Sequence, residues 1–421
     1  MSRLRQTTGR ATSSPATLGR WNRIVVIVLG IFLVSWGGPA ASAFWGSVSS
    51  GFGAAKADAV AQGARPTTAV SGTSVTVNWT ASTTAAGRPV TGYSIARYAT
   101  ATEGTGMAAA GTCTGTIAAL SCVDNNVPTG TWYYAVTPLL SAWQGAESTR
   151  SVATAVDATP PVAPVIIAPA YVYSSNVNNV PVSGTAESGS TVVLTVTGAG
   201  AQSLTQTMTA NGSGNWTAPP LNMSAFNEGN INYSARATDA AGNTGPAGTA
   251  ASTKDVTAPT VTGVQLTNGG ATAGKVEAGD HVTLTFSEPL KASTICSTWT
   301  SPDNTQTVSG NGNNRVVVNV SANDILSVTT NSCPVLRVGS VALGGDYTSS
   351  NLSFNTPNSG GILHWSSTSQ TLTVTLGGGN AGGAILTSDS IFPTYTPASG
   401  LTDVAGNQLG TSPVPGAPSR F

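Results

Sequence analysis

The chain has 421 residues and is balanced in charge, with 17 Lys+Arg against 17 Asp+Glu, yet charged residues make up only 8% of it, where a soluble domain carries ~25%. Five of the basic residues, Arg3, Arg5, Arg10, Arg20 and Arg23, stand in the first 23 positions and no acid precedes Asp58, so the remainder is mildly acidic. That distribution leaves no Lys/Arg patch for phosphate neutralisation and excludes nucleic acid as the expected partner.

The first element is the basic leader. An apolar run, Ile24 to Trp36, follows it, and small residues end in Ala41-Ser42-Ala43 before Phe44. A basic region, an apolar region and an A-x-A site describe a signal peptide cleaved between Ala43 and Phe44. A bilayer span needs ~20 apolar residues, which Ile24 to Ala43 just supplies, so an uncleaved leader makes residues 24–43 the one expected membrane contact. Residues 1–43 are therefore read as signal peptide or anchor, and the Gly-, Ser- and Ala-rich residues 44–64 as a flexible, stalk-like segment. The expected location is secreted or on the cell surface.

Beyond the leader, short runs alternate apolar residues with Thr or Ser between clusters of Gly, Asn, Asp and Pro. The clearest are Val75 to Trp79, Val192 to Val196, Val282 to Phe286 and Leu372 to Leu376. Period-two alternation means half-buried strands, and β-branched Thr suits the wet face of a two-layer sandwich. The expected fold is all-β. Two linker-like segments, Asp157-Ala158-Thr159-Pro160-Pro161 and Asp255-Val256-Thr257-Ala258-Pro259, lie 98 residues apart, an interval that fits one sandwich domain. They divide the chain into three tandem β-sandwich modules, residues 65–156, 157–255 and 256–421.

A second repeat, Asp239-Ala240-Ala241-Gly242-Asn243 and Asp403-Val404-Ala405-Gly406-Asn407, reads as an end hairpin in which Asp bonds amides ahead of it and Gly-Asn supplies positive φ. The four cysteines, Cys113, Cys122, Cys296 and Cys333, are expected to pair within modules, Cys113 with Cys122 and Cys296 with Cys333, as exported thiols do. Each bridge is worth ~3 to 4 kcal/mol in the chain-entropy model. No C-x2-C pair is present and the only histidines are His281 and His364, so a zinc site is excluded on spacing.

The first module resembles a fibronectin type III domain, on Val75-Thr76-Val77-Asn78-Trp79, Thr91 to Arg97 and Gly130-Thr131-Trp132-Tyr133-Tyr134-Ala135-Val136, the last like that family's tyrosine-corner strand. It departs from the family in its Cys113 to Cys122 hairpin and has no Arg-Gly-Asp tripeptide. The second resembles a bacterial Ig-like domain on Val182 to Glu187, Gly214-Asn215-Trp216 and Tyr233 to Asp239. The third resembles longer Ig-like domains of bacterial surface proteins on Ala258 to Val261, Val282 to Leu290 and Gly400 to Asn407. The whole chain so resembles an exported, Ig-like domain-containing protein of bacterial, actinobacterial type. The resemblance implies adhesive, structural or spacer modules without catalysis.

Candidate chemistry is sparse. His281 alternates outward with Thr283, and His364 has no acid near it in sequence, so neither is placed as a base. Glu277 with Asp280 reads as a solvated turn and Glu288 as a turn or edge device. Asp157, Asp239, Asp255 and Asp403, at linkers and end hairpins, are the only candidate calcium ligands, but no dense D-x-D-x-D run occurs and turn chemistry accounts for them better, so no cofactor is expected. Trp143, Trp299 and Trp365 are the candidate rings of a sugar platform. The expected role is an adhesive or surface-display structure with an extracellular protein or glycan ligand. The alternatives are a carbohydrate-binding accessory protein and a self-associating fibre subunit, the latter on the leader's resemblance, through Ala43-Phe44-Trp45-Gly46, to those of exported biofilm fibres.

Overall fold

The computed structural model of the chain describes residues 57–300, 305–310, 312–387 and 391–421. The leader, the Ala43–Phe44 cleavage site and residues 24–43 lie outside the described residues. Among the described residues no helix is long and apolar enough to cross a membrane. What is described is almost wholly antiparallel β-structure around three separate apolar cores.

The first core is closed by β1 (Thr67–Ser71), β2 (Ser74–Asn78), β3 (Gly92–Tyr98), β4 (Met107–Ala108), β5 (Ser121–Asp124), β6 (Gly130–Leu140), β7 (Trp143–Gln144) and β8 (Thr154–Val156). One sheet runs β1-β2-β5 and the other β4-β3-β6-β7, with β8 also on β6. Val75, Val77, Trp79, Ile95, Tyr134 and Val136 fill the space between them, as the alternation requires. Cys113 is bonded to Cys122. Buried Asp124, two residues on, accepts from Arg97 Nη1 at 3.0 Å, the Tyr134 hydroxyl at 3.0 Å and the Ala110 amide at 2.6 Å, so its charge is both paired and hydrogen-bonded. Of the segment 44–64 expected to be flexible, residues 57–64 are described, and there Ala61 donates to the Thr83 carbonyl at 3.1 Å and Gly63 to the Ala146 carbonyl at 3.0 Å, so this backbone finds partners in the first core.

The second core holds β9 (Val165–Ile167), β10 (Tyr171–Val172), β11 (Ser183–Thr185), β12 (Thr191–Gly198), β13 (Ser203–Thr209), β14 (Asn215–Thr217), β15 (Gly229–Thr238) and β16 (Gly248–Lys254). Its sheets run β10-β16-β15-β12-β13 and β14-β11-β9. Val192, Leu194 and Val196 of β12 lie beside Ala237, Ala235 and Tyr233 of the neighbouring β15 on the core face of one sheet, with Trp216 packed across from β14. Its Gly184 lies so close to the Trp216 ring that an added Cβ would meet it at 2.6 Å.

The third and largest core holds β17 (Val261–Thr267), β18 (His281–Phe286), β19 (Gln306–Val308), β20 (Val317–Val320), β21 (Ile325–Thr329), β22 (Ser340–Ala342), β23 (Leu352–Phe354), β24 (Ile362–Ser366), β25 (Thr371–Thr375), β26 (Thr394–Thr396) and β27 (Val414–Pro415). The sheets are β17-β18-β25-β24-β19 and β23-β20-β21-β22-β26-β27. Val282, Leu284 and Phe286 are buried along β18 while His281, Thr283 and Thr285 are half-buried on its other face. Cys296 is bonded to Cys333, tying the short 292–295 helical turn to the loop before β22.

Candidate functional site

The two repeated sequence motifs meet in space, and they do so twice. In the second core, Asp239 Oδ1 accepts the Asn243 amide at 2.8 Å and its Oδ2 accepts Asn243 Nδ2 at 2.8 Å. The same Nδ2 donates to the main-chain carbonyl of Asp157 at 2.9 Å. In the third core, Asp403 Oδ1 accepts the Gly406 amide at 2.6 Å and the Asn407 amide at 2.8 Å, while Asn407 Nδ2 donates to Asp403 Oδ2 at 2.8 Å and to the Asp255 carbonyl at 2.9 Å. Each end hairpin thus clasps the linker that enters its own core. Gly242 and Gly406, with φ of 93° and 115°, make the turns that only glycine takes without strain. The linker aspartates match as well: Asp157 Oδ1 accepts the Thr159 amide at 2.9 Å and Asp255 Oδ1 the Thr257 amide at 3.2 Å.

At the second joint a third carboxylate arrives. The segment after β18 bridges the hairpin through Leu290 and Asp403, and the Lys291 amide donates to the Thr402 carbonyl at 2.8 Å. This brings Glu288 into reach, so that carboxylate oxygens of Asp255, Glu288 and Asp403 all lie within 4.8 Å of one another. Asp403 is 1% exposed. Glu288 Oε1 is buried and has no hydrogen-bond partner. Burial, then Asp255, Asp403 and Glu228, push the Glu288 carboxyl up to about 7; burial and Asp403 also raise that of Asp255. Glu228 is held below its usual range by the Thr257 hydroxyl and the Val256 amide. Lys254, next in sequence to the linker, turns its ammonium to the carbonyls of Ser224 and Phe226 instead.

Three acids packed this closely, one with an orphaned buried oxygen, must share protons or a cation. Every donor is a hard carboxylate oxygen, which suits calcium or magnesium and no thiolate- or imidazole-seeking metal. The residues therefore fit a divalent ion.

The sequence candidates distribute unevenly. Asp255 and Asp403 come together with Glu288, whereas Asp157 is exposed and Asp239 half-buried at the first joint. There they face a groove of ≈ 660 Å³ that Val70, Gly72, Val156 and exposed Glu187 also line. Glu288, expected as a turn or edge device, and Asn407, expected only as a turn residue of the end hairpin, both reach the joint; the sequence signal for Glu288 is its place just after β18, which Glu187 repeats just after β11.

Asp280 is fully buried, and the amides of Gly269, Gly270 and Glu277 satisfy it, so it clamps a turn. It was expected on a solvated turn. His364 Nδ1 is 2.8 Å from the Thr307 hydroxyl. Of the three candidate sugar-stacking rings, Trp143 is 57% exposed, but Trp299 and Trp365 are core residues at 5% and 0%. Trp365 packs edge-on against Phe286. Those two rings cannot form the candidate platform with Trp143.

No protein-family model matches the chain, and no curated protein matches it. Among solved structures the chain is similar to the chicken CNTN1 FN1–FN3 domains, at 11% identity and a TM-score of 0.24, covering 83% of this chain and 97% of that one. It is similar to a 1.5-MDa bacterial ice-binding adhesin at 16% identity and a TM-score of 0.29, covering 83% and 91%. A calcium-stabilised, ice-binding adhesin of an Antarctic bacterium gives 17% identity and a TM-score of 0.29, covering 86% and 74%. At these scores the likenesses carry no argument about what this chain does.

Proposed function

We propose that this chain is a non-catalytic extracellular protein, adhesive or display-type, in which the sandwich modules act as spacers and a divalent cation, calcium by donor chemistry, locks the joint between the second and third cores. The observation that carries this reading is the convergence of Asp255, Glu288 and Asp403 at a joint, with a buried Glu288 oxygen left without a partner. Bound there, the ion neutralises carboxylates from the linker, the segment after β18 and the end hairpin, and so ties three chain segments at one point. A spacer gains from a stiff joint because fewer orientations of its far end have to be given up on binding. Export is supported by the leader and by the two disulfides, which persist in oxidising surroundings. The bacterial Ig-like resemblance of the second and third modules suggests a bacterial surface.

Equilibrium dialysis of the EDTA-stripped chain against millimolar calcium tests the site. The expected result is about one bound ion per chain, lost in Glu288→Gln and in Asp403→Asn, with millimolar affinity typical of extracellular modules. No bound ion at millimolar calcium, or full binding by Glu288→Gln, overturns the assignment.

A further inference from the structure

Sheet edges are where one chain adds to another, because their main-chain groups lack partners. Most edges here are protected. Strands β4, β7, β10 and β27 are two residues long, and β9, β14, β19 and β23 are three. At β1, the Thr68 hydroxyl bonds that of Thr154 from β8 at 2.7 Å. Strand β5 is tied through Cys122 to the turn at Cys113. Strand β17 is seven residues long but carries a bulge between Val261 and Gly263, and the C-terminal segment lies against it, with Gly416 on Val264 and the Ser419 hydroxyl on the Leu266 amide.

Strand β13 has none of these devices. It is seven residues long and pairs with β12 in unbroken register from Ser203 to Thr209. It contains no proline, no glycine and no charge, and no charged residue occurs anywhere from 188 to 227. The hydrogen bonds that bracket the hairpin, Gly198 to Gln202 and Ala210 to Ser190, fix the alternation of the ladder: the even residues of β13 bond β12, and the odd ones direct N–H and C=O outward. Among the described residues nothing bonds the outward groups of Ser203, Thr205, Thr207 and Thr209. Leu204 and Met208, on the core face, are only partly buried against the second core.

The strand is also self-complementary. Read antiparallel about Gln206, Ser203 falls opposite Thr209, Leu204 opposite Met208 and Thr205 opposite Thr207. Thr205 and Thr207 both point their main chain outward, so this register forms hydrogen-bonded pairs, about eight bonds in all. It places Thr on Thr on one face and Leu on Met on the other, pairs that favour antiparallel strands. No charge opposes its own copy.

We propose that β13 is where a second copy of this chain adds, antiparallel and about a two-fold axis through Gln206, so that two five-stranded sheets become one continuous sheet. The contact is isologous and closes as a dimer. One strand pair buries less than the ~800 Å² per partner of a stable interface, so it is a weak contact that dense surface display would populate. It is independent of the cation at the second joint.

Gln206→Cys tests the register directly. The described cysteines are all in disulfides, and the non-hydrogen-bonded pair at the two-fold brings the new thiols to the Cα separation of ~4.5 Å that a disulfide spans. Under mild oxidation the full-length Gln206→Cys chain should form a disulfide-linked dimer. Adding Thr207→Pro, which removes an outward N–H and leaves the β12 ladder intact, should cut the cross-linking at least about tenfold. Thr205→Lys with Thr207→Lys, which sets like charges opposite each other on an exposed face, should do the same and covers the case in which the proline variant fails to fold. Failure of Gln206→Cys to cross-link, or equal cross-linking in the folded double-lysine background, overturns the proposal.

Discussion

The two joints of this chain are built from the same sequence and do different things. At each, an Asp-x-Ala-Gly-Asn hairpin holds the carbonyl of its own linker aspartate through one asparagine amide. At the first joint the contact to the preceding core is a threonine pair, Thr129 with Thr159 at 3.0 Å, and the Ala158 amide on the Thr129 hydroxyl at 2.8 Å. At the second, the preceding core reaches into the hairpin itself. The Ser174 amide donates to Asn407 Oδ1 at 2.9 Å, and the Tyr173 ring covers Gly406. Asn407 is fully buried as a result, where Asn243 is half-buried. Burial turns a shared turn motif into a joint, and it raises the stakes of every polar group inside it.

The largest expected difference is at the asparagines. Asn407→Ala removes bonds to Asp403, Asp255 and Ser174 in a dry site and should cost about 3 kcal/mol, whereas Asn243→Ala at the wetter joint should cost about 1 kcal/mol. Urea unfolding with the transitions of the second and third cores followed separately checks it; equal costs would dissolve the distinction between joints. A smaller contrast is expected at the glycines. Both Gly242→Ala and Gly406→Ala meet positive φ, worth about 1 kcal/mol. Only at Gly406 does the new Cβ also meet Tyr173, at 3.1 Å, while nothing lies within 4 Å at Gly242, so Gly406→Ala should cost about 2 kcal/mol.

The smallest contrast is in pH dependence. With its carboxyl pushed from the ordinary 4.5 up to about 7, Glu288 holds in the folded chain a proton that the unfolded chain releases. Without a cation, stability is therefore fully present below about pH 4.5 and is lost as pH rises through about 7. The third-core melting temperature should fall by a few degrees over that range. Glu288→Gln should flatten the slope, and Glu187→Gln, its exposed counterpart at the first joint, should change nothing. A slope that survives Glu288→Gln would place the titrating group elsewhere.

Much of the fold could be read from alternation, because period two assigns a face to each residue. Val282, Leu284 and Phe286 are buried as the pattern of β18 demands, and the same rule puts Leu363 and Trp365 on one face of β24, a reading that would have removed Trp365 from the candidate rings. The repeated linkers and hairpins were visible as motifs. Their meeting was not, since Asp255 and Asp403 are 148 residues apart and only the sandwich topology brings the last hairpin back to the entering linker. The place of Glu288 was hidden for a related reason: a strand-end glutamate beside Pro289 reads as a turn or edge residue, and only the topology brings its carboxylate to Asp255 and Asp403. Asp280 illustrates the converse, a turn residue correctly placed near a turn but buried there by three amides that sequence cannot count.

The most direct test of the cation-locked joint is thermal unfolding of the EDTA-stripped full chain with and without millimolar calcium, in the native sequence and in Glu288→Gln. A ligand that binds only the folded joint raises its stability by about 1 to 3 kcal/mol at ten to a hundred times its dissociation constant. The third-core transition of the native sequence should therefore rise by several degrees, the first-core transition should stay where it is, and Glu288→Gln should show no shift. An unchanged third-core transition at millimolar calcium, or the same rise in Glu288→Gln, would contradict the account.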